Sequence, residues 1–310
     1  MRLDPVAFLG PAGTFTEEAL MSQPDLADAT HVPMTGVFEI VKAIESGDVA
    51  CGVVPIENSI EGSVNATLDA LAFDTSDVYI EREVVLGVDL NLVGISGTEI
   101  DSVSAVLSHP HAIAQCRRYL SEKTPGADQI ATISTADAVR QVAEAGDRHQ
   151  VAIGTRLAAS LYGLEVLEEQ PNDYPGNATR FVLLGKEIPA ASGHDKTSIV
   201  CFQAVDRPGS LLGILHEFAA RAINLTKIES RPTKTALGDY CFVIDFEGHV
   251  ADEVVADALV NLRAKLANLR FLGSYPSATG EAAEIRAERG AAYEAAVEFV
   301  RDLRERVTPP

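Results

Sequence analysis

Between Val6 and Leu184, short apolar runs alternate with segments of helical period, and this alternation restricts the fold more than any other feature of the chain. Val6–Gly10, Cys51–Ile56, the segment Val84–Val93, Ser104–Ser108, Ala131–Ile133 and Val151–Ile153 read as strands. Thr14–Met21, Phe38–Ser46, Val64–Leu71, Pro110–Leu120, Ala136–Ala145 and Arg156–Leu161 read as helices between them. Thr14 and Glu17 stand at capping-box spacing. Phe38, Val41 and Ile44 share one stripe, with Gly47 closing that helix and Gly163 stopping the last one. Such an order implies an α/β fold: a mostly parallel sheet with helices on both faces. It divides into two layers, one before and one after roughly Val78. Ligands of open α/β sheets sit beyond the carboxyl ends of strands, so the loops that follow strands are where a site is expected.

The polar, small-residue stretch Ile188–Lys196 reads as a linker, and the pattern changes after it. Thr197–Val205 is a strand, Pro208–Ala222 a helix, Asn224–Arg231 a strand, Lys234–Asp239 a turn and Tyr240–Phe246 a strand. Ala251–Leu266 is then a helix and Leu269–Tyr275 a last strand. That β-α-β-β-α-β order is the ferredoxin-like motif. In the tail, Tyr293, Val297, Val300 and Leu303 recur at helical spacing within 281–307, which predicts an amphipathic helix.

Composition narrows the function classes. A formal net charge of −20 over 310 residues argues against nucleic acid or an anionic membrane surface as partner, yet leaves room for a small anion held by local donors. No apolar run is long enough for a signal peptide or a bilayer span. Cys51, Cys116, Cys201 and Cys241 are scattered without CxxC spacing, which suits buried thiols in a reduced cytoplasmic protein and not structural zinc.

Four loops carry polar residues past a strand. Gly10-Pro-Ala-Gly13-Thr14-Phe15-Thr16 lacks the lysine of a P-loop and the third glycine of a dinucleotide fingerprint. It is a tight turn with a helix cap, or a cradle of backbone N–H groups for a carboxylate. Pro55-Ile-Glu57-Asn58-Ser59-Ile-Glu61-Gly62-Ser63 is an ordinary strand-to-helix loop with Ser63 as a cap, or a polar wall. Its paired acids Glu57 and Glu61 have no histidine or third acid nearby to make a metal or glycosidase site. In Ser108-His109-Pro110-His111-Ala-Ile-Ala-Gln115, the two histidines lack zinc-ligand partners, and Gln115 lies on the helix that Pro110 begins. The turn Pro175-Gly176-Asn177 delivers Thr179 and Arg180 to the start of the apolar run Phe181–Leu184. These are a strand-edge threonine with a snorkelling arginine, or a hydroxyl donor beside a guanidinium fork for a carboxylate. No nucleophile elbow, metal set or cofactor loop competes with them.

Together the blocks GPAGTFTEEAL, VVPIENSIEGSV, SHPHAIAQC, STADAV, AIGTRLAASLYGLEVL and NATRF, in this order, closely resemble the prephenate dehydratase family. The region after the linker, with ESRP at Glu229–Pro232, resembles its ACT regulatory domain. The resemblance runs from residue 6 to about 276 and implies a lyase without metal or cofactor, turning prephenate into phenylpyruvate, water and carbon dioxide. It implies a two-lobed, periplasmic-binding-protein-like catalytic region over 1–187, with a cleft between lobe one (about 1–77 with 170–187) and lobe two (about 78–169). A linker at 188–196, an ACT domain at 197–277 and a C-terminal helix and tail at 278–310 complete the division. By position, Thr179 is the family's essential hydroxyl, Arg180 a carboxylate anchor, and Asn58, Ser108 and Gln115 its substrate-contacting polar residues. Thr14, Phe15, Glu57, Ser59, His109 and Phe181, from the same blocks, are expected around the substrate. The proton is expected from water, from His109 or His111, or from Glu57. Phenylalanine is the implied effector, held between paired ACT domains of a homodimer or homotetramer by Pro208, Gly209, Leu211, Leu212, Asn224, Leu225, Glu229 and Ser230. Ser210 and Leu212 depart from the family's Gly-Ala-Leu-Val motif there.

Two competitors remain at the level of sequence. Arogenate dehydratase would run the same chemistry on a substrate bearing an ammonium, with Glu57 as its acceptor. A non-catalytic amino-acid sensor would also combine a two-lobed body with an amino-acid-binding domain.

Overall fold

The computed structural model of the chain describes residues 3–203, 207–234, 238–278 and 298–306. Val205 and Asp206, part of the 234–239 turn, and Tyr293 and Val297 of the expected tail helix lie outside them; residues 298–305 are helical. Among the described residues no helix is long and apolar enough to cross a membrane.

The first compact unit takes the chain up to Ala70 and Val84–Leu184. Its elements run β1 (Val6–Leu9), α1 (Phe15–Met21), α2 (Pro24–Ala27), β2 (His31–Met34), α3 (Val37–Ser46), β3 (Cys51–Asn58), β4 (Gly62–Ser63), α4 (Asn65–Asp69) and the later part of β5 (Tyr79–Gly87). They continue with β6 (Asn91–Gly94), β7 (Ala105–Ser108), α5 (Pro110–Gln115), α6 (Arg117–Lys123), β8 (Asp128–Ala131), α7 (Thr135–Ala145), β9 (Gln150–Gly154), α8 (Arg156–Leu161), β10 (Glu165–Glu169) and β11 (Ala178–Gly185). Two open sheets result, in the orders β2-β1-β3-β11-β5 and β10-β6-β9-β7-β8. The first sheet's core gathers Phe8, Leu20, Val53, Phe181 and Leu183, and the second's Leu92, Val106, Leu120, Val151 and Ile153. Phe15 packs against both cores, so the first helix ties one sheet to the other.

The alternation of strand and helix is as expected, but strand direction is not. Parallel pairs β1–β2, β1–β3, β7–β8 and β7–β9 are joined by antiparallel β3–β11, β6–β9 and β6–β10, so both sheets are mixed rather than mostly parallel. The hydrophobic period marks a strand but not the direction from which it returns. The second sheet begins at Asn91, whereas β5, beyond the boundary read near Val78, is the last strand of the first sheet.

Smaller differences have local causes. The buried stripe of α3 is Val37, Ile40, Val41 and Ile44, which leaves Phe38 52% exposed. The expected capping box is absent: the Thr14 hydroxyl donates to the Leu9 carbonyl, and Glu17 accepts from the Gly13 N–H. Val64, not Ser63, stands at the start of α4, because Ser63 is in the short strand β4. The helix expected over 110–120 breaks at Cys116 into α5 and α6. The strand expected over 131–133 lies three residues earlier, with Ile133 81% exposed.

The second unit takes Leu71–Glu83 together with the chain from Gly185 onward. It contains β12 (Asp195–Phe202), α9 (Ser210–Ala219), β13 (Leu225–Pro232), β14 (Tyr240–Glu247), α10 (Glu253–Lys265) and β15 (Asn268–Pro276). The antiparallel sheet order β13-β14-β12-β15 is that of the expected ferredoxin-like motif. Residues 71–83 were not legible as part of it. Phe73 meets Phe202 edge-on, Tyr79 packs on Phe271, and the buried Glu83 carboxylate accepts from Lys196 at 2.9 Å. Gly273, at φ 149°, lies so close to Ile80 that a Cβ there would come within 2.3 Å of the Ile80 carbonyl oxygen.

All four cysteines are buried, and burial pushes the Cys116 and Cys201 thiols up to about 12. Neither is poised as a nucleophile.

Candidate active site

The residues of the 172–185 segment and of the 55–63 loop meet because β11 pairs antiparallel with β3. The register sets Thr179 opposite Asn58 and Arg180 opposite Glu57. The turn that starts β11 has Gly176 at φ 82°, a backbone conformation that glycine adopts without strain. An irregularity between Arg180 and Phe181 then interrupts the alternation of faces. Thr179 and the Arg180 side chain are both largely covered, while Phe181 turns into the first sheet's core at 2% exposure. Phe181 is therefore a core residue, not the substrate contact expected of it.

Asn58 organises the polar cluster. Its Oδ1 accepts from the backbone N–H groups of Ile60 (2.9 Å) and Glu61 (3.0 Å), a local Asx turn. Its Nδ2 donates to Thr179 Oγ1 and to Asn177 Oδ1, each at 2.9 Å. The Thr179 oxygen thus accepts, and among the described residues its own proton has no acceptor. Ser59 is an internal brace, accepting from the Ala178 N–H and donating to Asn177 Oδ1. Asn177, 5% exposed, donates through Nδ2 to Gln115 Oε1 at 2.9 Å, and so carries the network to α5 beside the second sheet. Gln115 Nε2 lies 3.4 Å from Glu61 Oε1, and His111 Nδ1 lies 2.8 Å from Glu61 Oε2. Asn177 and Glu61 were not among the expected catalytic residues, and His111 was expected only as one candidate proton source. Asn177 was legible as a turn former and Glu61 as half of an acid pair, but no sequence signal joined them to Gln115.

Other expected residues have different roles. The fully buried Ser108 hydroxyl donates to the Ile153 carbonyl at 2.7 Å and braces β7 against β9. Thr14 is likewise turned to backbone. His109 accepts from the His111 N–H at the head of α5. Burial first, then the neighbouring His111, holds its pKa below the usual histidine range against the pull of Glu61. Its Nδ1 is the acceptor there, and its charged form is correspondingly disfavoured. Glu57 and Arg180 pair at 3.5 Å.

The first loop joins the two sheets instead of offering an open cradle. Thr155 at the head of α8 donates to the Gly13 carbonyl at 2.6 Å, and the Leu157 N–H reaches Glu18 at 3.3 Å. Burial, opposed by that N–H and aided by Asp89 and Glu17, raises the pKa of Glu18. The folded state therefore holds this proton more tightly than the unfolded chain does. The associated stability is complete below the unfolded pKa and is lost as pH rises through the folded one. Glu18→Gln keeps an acceptor for Leu157 and is expected to raise the melting temperature at neutral pH, with the gain shrinking toward about pH 4. A gain that did not change with pH would refute this reading.

In the second unit, Gly209 (φ 87°) heads α9 behind Pro208, the Ser210 hydroxyl accepts from the Arg207 N–H, and Leu212 is 69% exposed. The register divides the remaining effector residues. Arg231 aligns with Cys241 and through it with Phe202, which puts Glu229 and Ser230 toward the end of the sheet where α9 begins. Leu225 aligns with Phe246 and Thr197, so Asn224 and Leu225 lie at the other end. Asn224 donates to Glu247 there at 3.0 Å, and Glu229 pairs with Arg231 at 2.9 Å. One chain does not bring the expected effector residues together. A cavity of about 310 Å³ beside the start of α9, lined by Gln203, Arg207, Ser210, Ile214, Leu262 and Lys265, was not foreseen.

The prephenate dehydratase family model matches residues 6–189. The chain belongs to the prephenate dehydratase family. An ACT domain model matches residues 197–264. A prephenate dehydratase of Mycolicibacterium vanbaalenii is 42% identical over 287 residues, covering 88% of this chain and 91% of that protein. The crystal structure of a prephenate dehydratase from Arthrobacter aurescens in complex with L-Phe superposes with a TM-score of 0.89 at 40% identity, covering 97% of this chain and 99% of the other. A structure described as GqqA, a quorum-quenching acylase, gives a TM-score of 0.78 at 28% identity over 88% of this chain and 98% of that one. The same architecture therefore carries a second named activity, so roles must rest on the site itself.

Proposed function

We propose that this chain converts prephenate to phenylpyruvate, water and carbon dioxide, with Thr179 as the donor to the departing hydroxyl. The carrying observation is the Asn58–Thr179 contact: Asn58 fills an acceptor position on Thr179 Oγ1 and leaves the hydroxyl proton for another oxygen. In the reaction the ring C–O bond breaks and the oxygen leaves with its electron pair, held by the Thr179 hydrogen bond and becoming water with one proton drawn from solvent. The C–C bond to the ring carboxylate breaks and its pair completes the aromatic ring. A preorganised donor aimed at the leaving oxygen stabilises charge that develops only in the transition state. Arg180 is the carboxylate anchor, and Gln115 and Asn58 are polar walls of the site. Glu57, the acceptor that arogenate would need, pairs with Arg180 at 3.5 Å, so the two substrates are compared directly. Formation of phenylpyruvate by the purified chain from prephenate, with arogenate compared in parallel, tests this. No product, or faster turnover of arogenate, would overturn it.

The catalytic region over 1–187 and the regulatory region over 197–277 act together through phenylalanine. The division of effector residues between the two ends of the sheet suits a ligand held between two ACT domains, one supplying the start of α9 and the other Asn224 and Leu225. This is a homodimer or homotetramer. Buried, scattered cysteines suit a reducing cytoplasm. Phenylalanine added to the same assay is expected to change the rate, and an unaltered rate with no calorimetric heat would remove this role.

A further inference from the structure

We propose that Glu61 is a positioning residue for the reaction, whose carboxylate reinforces from the far end the direction of the hydrogen bonds that end at Thr179. The proposal rests on the reading of Thr179 as donor. Its observation is an unbroken polar chain, Glu61–Gln115–Asn177–Asn58–Thr179, with a defined donor at every step.

His111 and Gln115 are four residues apart on α5, so they share a face, and both reach the Glu61 carboxylate. A carboxylate only accepts. Gln115 must therefore present its NH2 to Glu61 and turn its carbonyl to Asn177, which presents its own NH2 in reply. Asn177 then offers its carbonyl to Asn58 Nδ2. The far end is fixed independently: two backbone N–H groups, which can only donate, take Asn58 Oδ1 and so aim Nδ2 at Thr179. The two anchors agree. Reversing Asn177 would set one NH2 against another at the present 2.9 Å contact, and Asn58 would be displaced from Thr179. By holding the Gln115 amide, Glu61 supplies the acceptor that disfavours this reversal, and His111 holds Glu61 in place. The plainer account is an exposed Glu61–His111 pair bridging two lobes, which would contribute little. That account predicts no effect confined to turnover.

The test is steady-state kinetics on prephenate for Glu61→Ala and Glu61→Gln in the full chain, with Thr179→Ala assayed alongside and melting curves for each. Glu61→Ala is expected to lower kcat about tenfold with KM within about twofold, the scale of one lost ordering hydrogen bond. Glu61→Gln is expected within about threefold of the parent kcat, since its amide oxygen still accepts from Gln115. A normal kcat for Glu61→Ala beside an inactive Thr179→Ala would sink the relay and spare the role of Thr179. Near-normal turnover by Thr179→Ala would sink the underlying reading itself. Glu61→Gln as slow as Glu61→Ala, or a raised KM at unchanged kcat, would also overturn the proposal, since either assigns Glu61 a different task.

Discussion

Thr179→Ala is expected to fold and to bind prephenate with a KM within a few-fold of the parent, yet to lose about 10²–10³-fold in kcat. The size follows from what is removed. Loss of one donor aimed at developing negative charge costs far more in a largely covered site than in water, and Thr179 is only 8% exposed. Ground-state affinity should survive, because Arg180 and Gln115 remain. Thr179→Ser restores the hydroxyl on the same backbone and is expected to recover most of the rate. Initial rates of phenylpyruvate formation for the three proteins decide the matter. If the alanine variant turned over near-normally, or if the loss lay wholly in KM, Thr179 would not be the donor.

Gly13→Ala is expected to destabilise the chain by roughly 2–4 kcal/mol, combining a left-handed residue with overpacking. Gly13 sits at φ 87°, and a Cβ there would come within 2.9 Å of the Ala158 Cβ and 3.0 Å of its Cα. Backbone cannot yield as a flexible side chain can, so the first loop must back away from α8 and strain the Thr155–Gly13 hydrogen bond. Gly126→Ala is the matched control, because Gly126 is also left-handed, at φ 90°, but has nothing within 4 Å of a Cβ. Denaturant midpoints for both variants separate backbone strain from the lost contact. Equal midpoints would mean that the Gly13–Ala158 contact contributes nothing.

How far the chain could be read from its residues differs between levels. Strands were legible as short apolar runs, as in β9, with Val151, Ala152 and Ile153 fully buried, and helices by their stripe, as in α7, with Val139 and Val142 inward. Strand direction was not, since β11 is as apolar when it runs antiparallel to β3 as it would be parallel. The candidate site was legible in kind: the blocks that supplied Thr179, Asn58 and Gln115 do form one network. Ser108 and Phe181 show the limit. Each borders a polar residue of its block in the chain, but one points at the Ile153 carbonyl and the other, past an irregularity in β11, enters the core. Asn177 was missed for the opposite reason, since a residue that suits a turn looks fully explained by the turn.

The Asn58–Thr179 contact joins residues 121 positions apart. Closing so long a loop costs entropy that local helices do not have to meet, so partners this distant find each other late in folding. Helical signal should therefore return early during refolding from denaturant, while catalytic competence lags until β11 has threaded between its neighbours. A nascent chain still short of residue 178 would hold every helix of the first unit and no working catalyst.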